Sequence, residues 1–343
     1  MKKIRIIQIG VGHDHAHDTI LSLKRLSDVY EIAGFAVCED EDGEYERKRK
    51  YFADLPKYTP EEILALPDID AAAIETDDTL LTKYTRLAAE RGLHIHMDKP
   101  GSACTEDFER MLSVMKKNRL VFQSGYMYRY NPTISDKLRR AKDGEYGRIY
   151  AVEAYMDCEH KAKKREWLKS FPGGMLYFLG CHLIDLTISI LGLPDEIIPL
   201  SAATGIEGVE SCDFGMAVLK YGGVPSLIKT SATEPGGFLR RRLLIHGENA
   251  TLEISPLEKY TDYDPLLLFS EWREAKKESR WSEEIPFHKS EPCNRYDNMM
   301  SAFASYVRGI EKCPYSYEYE ATLHRVILAA AGENVNYKEK IVL

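Results

Sequence analysis

The chain has 343 residues, enough at roughly 150 residues per domain for about two domains. Apolar residues make up 44% and charged residues 29%, which excludes an extended disordered chain because there is ample apolar surface to bury. The 46 Lys and Arg against 54 Asp and Glu give a net charge of −8, the wrong sign for a protein that works by neutralising nucleic-acid phosphates. No apolar run approaches the ~20 residues of a membrane span, and the basic opening is cut short at Gln8 with no cleavage site behind it. The seven scattered cysteines, odd in number and without a CxxC pair, fit reduced thiols, so a cytoplasmic protein is expected.

From residue 3 to about 124, β-branched runs alternate with amphipathic stretches. Strands are expected over 4–9, 31–37, 70–75, 93–97 and 120–123, with helices over 14–26, 80–91 and 105–117 between them. Such alternation predicts a parallel sheet covered on both faces. After Asn131-Pro132 a helix is expected to about 141, then a strand over 148–156 and, beyond Pro172-Gly173-Gly174, a helix over 181–191. Long strands from 196 to about 254, broken by turns such as Tyr221-Gly222-Gly223, predict antiparallel pairing, and helices over 294–310 and 318–333 close the chain. The expected fold class is α/β: a doubly wound parallel sheet of the Rossmann kind over 1–124, then an α+β domain over 125–343 with a large, mainly antiparallel open sheet.

Gly10-Val11-Gly12 falls at the first strand-to-helix turn, where a dinucleotide pyrophosphate meets free backbone N–H groups. Glu39, at the end of the second strand, can accept hydrogen bonds from both ribose hydroxyls. Its charge, deepened by Asp40, Glu41 and Asp42, repels a 2′-phosphate, so NAD is expected in preference to NADP. His15 stands where the fingerprint has its third glycine. The alternating His13, His15 and His17 invite a metal, but alternate positions on a helix lie about 200° apart, so no metal is expected there. His13 and His15 are assigned to the cofactor instead, with Gly10, Val11, Gly12, Glu39, Thr76, Asp98 and Lys99.

Asp98-Lys99-Pro100 follows a strand at the carboxyl edge of the sheet, where ligands bind in open α/β folds. Further on, the Pro172-Gly173-Gly174 turn leads into a helix that carries His182, with Asp185 on the same face. The run His160 to Arg165 reads as a solvated basic face.

These stretches, with Gly125-Tyr126-Met127-Tyr128-Arg129-Tyr130-Asn131-Pro132 and Ile245-His246-Gly247-Glu248-Asn249-Ala250-Thr251-Leu252, resemble the Gfo/Idh/MocA oxidoreductases over nearly the whole chain. The resemblance implies hydride exchange between a nicotinamide and a hydroxyl-bearing carbon of a sugar, polyol or glycoside, in a homodimer or homotetramer. It implies that Lys99 orients the reacting hydroxyl and that His182 is the general acid/base. Tyr126, Tyr128, Arg129, Trp167, Phe178 and Asp185 are assigned to the substrate. The family's usual aspartate four residues before the histidine is Phe178 here, which neither accepts a proton nor hydrogen-bonds a hydroxyl. Two other readings therefore stay open: an NAD-binding sensor with a degraded site, and a redox-assisted glycosidase.

Overall fold

The computed structural model describes residues 2–280 and 283–343 and divides the chain into two compact units. The first comprises Met1–Met127, Tyr296–His324 and Lys340–Leu343; the second comprises Tyr128–Arg295 and Arg325–Glu339.

The first unit begins β1 (Ile4–Ile9), α1 (Ala16–Arg25), β2 (Tyr30–Ala36), α2 (Asp42–Lys48), β3 (Lys57–Tyr58), α3 (Pro60–Leu64) and β4 (Ala71–Ile74). It continues with α4 (Leu81–Glu90), β5 (His94–Met97), α5 (Thr105–Lys117) and β6 (Phe122–Ser124). The strands form one sheet in the order β3-β2-β1-β4-β5-β6, every pair parallel. All four residues of β4 are buried, as expected of a central strand covered on both faces. Three short elements go beyond the sequence reading: α2, β3 and α3. The third carries a readable signal, since Thr59 and Glu62 cap each other's backbone N–H groups and Pro60 opens the helix.

In the second unit Asn131 accepts the N–H groups of Thr133 and Ile134 and so starts α6 (Pro132–Lys142). There follow β7 (Ile149–Asp157), α7 (Ala162–Trp167), α8 (Met175–Phe178), α9 (Gly180–Leu191), β8 (Glu196–Pro199), β9 (Phe214–Tyr221), β10 (Val224–Ser231), β11 (Arg242–Gly247) and β12 (Ala250–Ile254). Then come β13 (Lys259–Tyr260), β14 (Leu267–Phe269), β15 (Glu271–Lys276), β16 (His288–Lys289) and β17 (Cys293–Asn294). Eight strands form a sheet ordered β16-β15-β12-β11-β7-β10-β9-β8, antiparallel except where β10 meets β7. On β9, Gly215, Ala217 and Leu219 are buried while their neighbours on the other face are half-buried. Gly174, which opens α8, has φ +51°, and a Cβ there would lie 2.2 Å from the Cys212 carbonyl oxygen. In the basic run 161–165, most of which lies in α7, Lys161 and Lys163 are exposed as expected, but Arg165 turns inward to Asp213 Oδ2 at 2.9 Å.

The chain then enters α10 (Asp297–Val307), which belongs to the first unit. Met300, Phe303 and Ala304 pack with Ile20, Leu23 and Phe35, and Arg25 clamps Asp297 through Nε and Nη2 at 2.9 and 2.6 Å. The last helix, α11 (Tyr317–Ala330), crosses the division between the units after His324. No helix among the described residues is long and apolar enough to cross a membrane.

Candidate functional site

At the carboxyl edge of the parallel sheet the chain leaves β1 through Gly10, whose φ is +92°. A Cβ there would lie 2.5 Å from the Thr76 backbone, so this close approach of two strand ends requires glycine. The backbone N–H groups of Val11 and Cys38 both donate to Glu41 Oε2 at 2.9 Å, and that of Asp77 donates to Oε1 at 3.0 Å. Glu41 is therefore not part of an exposed acidic field, as its sequence neighbours suggest; its side chain folds back from the start of α2 and is buried. Burial pushes its carboxyl up, with the Val11, Cys38 and Asp77 amides opposing that shift. Lys48 covers the turn from the other side, donating to the carbonyls of Val11 at 2.8 Å and His13 at 2.6 Å. This convergence of backbone donors from three strand ends is an anion nest, and a carboxylate occupies it as a phosphate would. Its donor chemistry fits a dinucleotide pyrophosphate.

Glu39 and Asp40 are exposed, as the sequence implied. Lys83 and Tyr84 hydrogen-bond the Glu39 carboxylate and hold its carboxyl at about 2. Glu39 borders a cleft of about 680 Å³ that is also lined by Cys38, Lys57, Tyr58, Lys83 and Tyr84.

The histidines take positions that helical periodicity does not give. Residues 13–15 form a turn and α1 begins only at Ala16, so the 200° argument fails for His13 and His15. Their rings lie 4.8 Å apart, and both direct Nδ1 at Asp98 Oδ2, at 3.1 and 3.0 Å. His17 instead stacks on Tyr51 at 4.9 Å. Behind the pair lie Glu75, Asp78 and His96, all buried: His13 Nε2 is 3.4 Å from Asp78 Oδ1, and Glu75 lies 3.8 Å from both His13 Nδ1 and His96 Nε2. Burial resists protonation of His13, yet Asp98 and then Asp78 raise it well above the ordinary imidazole value. Burial likewise resists ionisation of Asp98, but His13 and His15 hold its carboxyl well below the usual range. Burial, then Asp98, drives Glu75 upward toward its neutral form. Glu41, Lys48, Glu75, Asp78 and His96 were not among the sequence-assigned site residues. Only the strand-end positions of Glu75 and His96 marked them.

Thr76 lies against Gly10 and donates its hydroxyl to the Asp77 carbonyl at 3.0 Å. Lys99 is buried next to Asp98, whose Oδ1 accepts the Lys99 backbone N–H at 2.7 Å. Gly125 lets that carboxylate approach, since a Cβ there would lie 2.8 Å from Asp98 Oδ1. Tyr126 is buried in the same unit.

In the second unit His182 is buried near the start of α9, with the Tyr128 ring edge-on at 5.4 Å. The Tyr128 hydroxyl donates to Glu258 Oε1 at 3.0 Å, and Glu258 also receives Arg241 at 2.8 Å and Arg295 at 2.9 Å. Arg129 and Asp185, both assigned to substrate from sequence, engage each other: Nε and Nη2 donate to the two carboxylate oxygens at 2.9 and 2.8 Å. Phe178 lies among aromatic rings, 5.3 Å from Trp167 and 6.2 Å from Phe171, with Lys164 Nζ 3.6 Å above Trp167.

A six-stranded parallel sheet with an anion nest at its carboxyl edge, followed by a unit built on a large open sheet, is the architecture of a two-part protein with a Rossmann-type first unit. Residues 4–126 match the family model for the oxidoreductase NAD-binding Rossmann fold, and residues 138–253 match that for the GFO/IDH/MocA C-terminal domain. The chain belongs to the Gfo/Idh/MocA oxidoreductase family, whose first domain is an NAD(P)-binding Rossmann fold. Among curated proteins it is 22% identical to the NADP(+)-dependent scyllo-inositol 2-dehydrogenase IolW of Bacillus subtilis, over 73% of this chain and 67% of that one. It is 30% identical to the NAD(+)-dependent scyllo-inositol 2-dehydrogenase of the same organism, over 41% and 40%, and so spans under half of that relative. It is 24% identical to D-xylose 1-dehydrogenase (NADP(+)) 2 of Haloferax volcanii and spans about half of it, 54%. Among solved structures a protein of Desulfitobacterium hafniense assigned as an oxidoreductase superposes with TM-score 0.79 at 18% identity, over 96% of this chain and 95% of that one. The 3-ketoreductase KijD10 of Actinomadura kijaniata gives 0.75 at 17%, over 96% of each chain. At those identities the likeness is one of fold.

Proposed function

We propose that this chain is an NAD-dependent dehydrogenase that exchanges hydride with a hydroxyl-bearing carbon of a sugar, polyol or glycoside. The observation that carries the reading is the nest at the Gly10-Val11-Gly12 turn, where three backbone donors already hold a carboxylate. In this reading the first unit takes the dinucleotide, with Val11 and its neighbours on the pyrophosphate. Glu39, kept ionised beside the 680 Å³ cleft, accepts the ribose hydroxyls and favours NAD. When bound, the nicotinamide supplies the hydride acceptor or donor. Lys99 positions the substrate oxygen and His182 takes or returns its proton, a role suited to imidazole near neutral pH. Tyr126, Tyr128 and Trp167 contribute to substrate binding, and the half-buried face of the eight-stranded sheet pairs copies in a cytoplasmic oligomer.

The sensor reading rests on Phe178, which brings rings rather than a carboxylate to the family's aspartate position. Nicotinamide absorbance decides between the two. Purified chain with NAD and a panel of polyols, aldoses and glycosides is expected to reduce NAD with one substrate class, with at least a hundredfold loss in Lys99→Ala and His182→Ala. Dinucleotide binding by titration with no reduction across the panel would favour the sensor, and full turnover in either variant would refute the catalytic assignment.

A further inference from the structure

The paired histidines of the first unit are placed as metal ligands rather than as hydrogen-bond partners alone. His13 Nδ1 and His15 Nδ1 stand 3.1 and 3.0 Å from the same atom, Asp98 Oδ2, and all three lie within 4.8 Å of one another. With metal–nitrogen and metal–oxygen bonds of roughly 2.0–2.2 Å, adjacent ligands around one ion are separated by about 3.0–3.4 Å. Two of the three edges thus already have coordination length. A small rotation of His15, whose side chain is 17% exposed, closes the third.

The hydrogen-bond account of the cluster is incomplete. His13 Nδ1 is offered the backbone N–H of His15 at 3.2 Å, which requires a lone pair, and faces the Asp98 carboxylate at 3.1 Å, which requires a proton. A lone pair on Nδ1 directed at a cation shared with Asp98 needs no proton between nitrogen and carboxylate, at the cost of the long 3.2 Å contact from the His15 N–H. Behind the three ligands both oxygens of Glu75 are buried with no hydrogen-bond partner. A buried carboxylate left in that state is costly unless a cation adjoins it. Asp78, 3.4 Å from His13 Nε2, has the position of the carboxylate that orients a ligating imidazole. Glu75, 3.8 Å from His13 Nδ1, is within side-chain adjustment of a fourth coordination position.

We propose that the first unit binds a divalent transition-metal ion of the zinc class through His13 Nδ1, His15 Nδ1 and Asp98 Oδ2, with Glu75 as the adjoining carboxylate and Asp78 orienting His13. Two imidazoles and a carboxylate suit such an ion better than Mg2+ or Ca2+, which prefer all-oxygen sets. The inference goes beyond the dinucleotide reading and does not require it.

The full chain, stripped with EDTA and dialysed, is titrated with Zn2+ by calorimetry and with Co2+ by visible absorption. Wild type is expected to bind one ion per chain and to give Co2+ d–d bands without thiolate charge transfer, because no cysteine is a ligand. His15→Gln and Asp98→Asn are expected to weaken Zn2+ binding at least tenfold, while His17→Gln, outside the cluster, binds as wild type. Asp98 is buried and its variant can fail to fold; His15 is partly exposed, so His15→Gln keeps the test decisive. Absence of stoichiometric Zn2+ binding, a thiolate signature, or wild-type affinity in His15→Gln would overturn the proposal. NAD titration of the metal-free chain reports separately on the dinucleotide reading, so either can fail alone.

Discussion

Glu41 makes a prediction with opposite signs in two assays. Its carboxylate receives three backbone N–H groups, from Val11, Cys38 and Asp77, at 2.9, 2.9 and 3.0 Å. A hydrogen bond to a charged acceptor contributes about 1.5–3 kcal/mol net, and a buried donor left without a partner costs about 1–3 kcal/mol. If the nest is where a pyrophosphate binds, Glu41 competes for the same donors, and apparent affinity falls by the fraction of chains in which the nest is open. At the lower figure of about 1.5 kcal/mol per bond, a closed-form advantage of one to two bonds corresponds to roughly ten- to a hundredfold, at about 1.4 kcal/mol per decade. Glu41→Ala is therefore expected to bind NAD and ADP-ribose at least tenfold more tightly by calorimetry. The same variant, free of ligand, should lose about 1–3 kcal/mol of stability in urea, because water satisfies the exposed donors only in part. Glu41→Gln, which keeps an acceptor but not the charge, should fall between. A folded Glu41→Ala with unchanged or weaker dinucleotide affinity would refute the reasoning, since the donors would then be structural and the cofactor would bind elsewhere.

Two further outcomes follow from buried charge. Arg129→Ala leaves the Asp185 carboxylate without its bidentate partner inside the second unit and should cost about 3–5 kcal/mol in denaturant unfolding, whereas Arg129→Met with Asp185→Leu should recover most of that loss. In the metal-free chain, His13 is raised above its unfolded value near 6.5, so its contribution is complete below about that pH and is lost as pH rises through the folded value. Asp98 is lowered, so its contribution is present above about pH 3.9 and is lost as pH falls through its folded value. Urea midpoints measured from pH 4 to 9 should therefore decline on the alkaline side in wild type and flatten there in His13→Gln; equal slopes would show that the pair is not coupled.

Where one face or one period governs, the sequence was legible. The parallel strands announce themselves as short apolar runs because both faces are covered, and α5 appears over the very residues its spacing predicts. α1 shows where such reasoning stops. Its apolar positions fix the helix, but the helical period does not reach His13 and His15, which lie in the bend and turn before Ala16. Off the helix, His13 and His15 meet on one carboxylate, an approach that alternate helical positions exclude.

The charged residues failed differently. Glu41 and Arg165 sit in runs whose composition is that of solvated surface, and residue type alone gives no reason to turn either inward. What turns them is a partner far along the chain: Glu41 finds the Val11 amide 30 residues back, and Arg165 finds Asp213 48 residues on. A lone charge in a polar run is thus an ambiguous symbol, since burial depends on a complementary group that only the fold delivers. The same holds for Arg129 and Asp185, 56 residues apart, which motif position assigned separately to substrate. With their charges committed to each other, Arg129 and Asp185 tie α9 to the segment before α6, and a ligand that needs either charge must first break the pair.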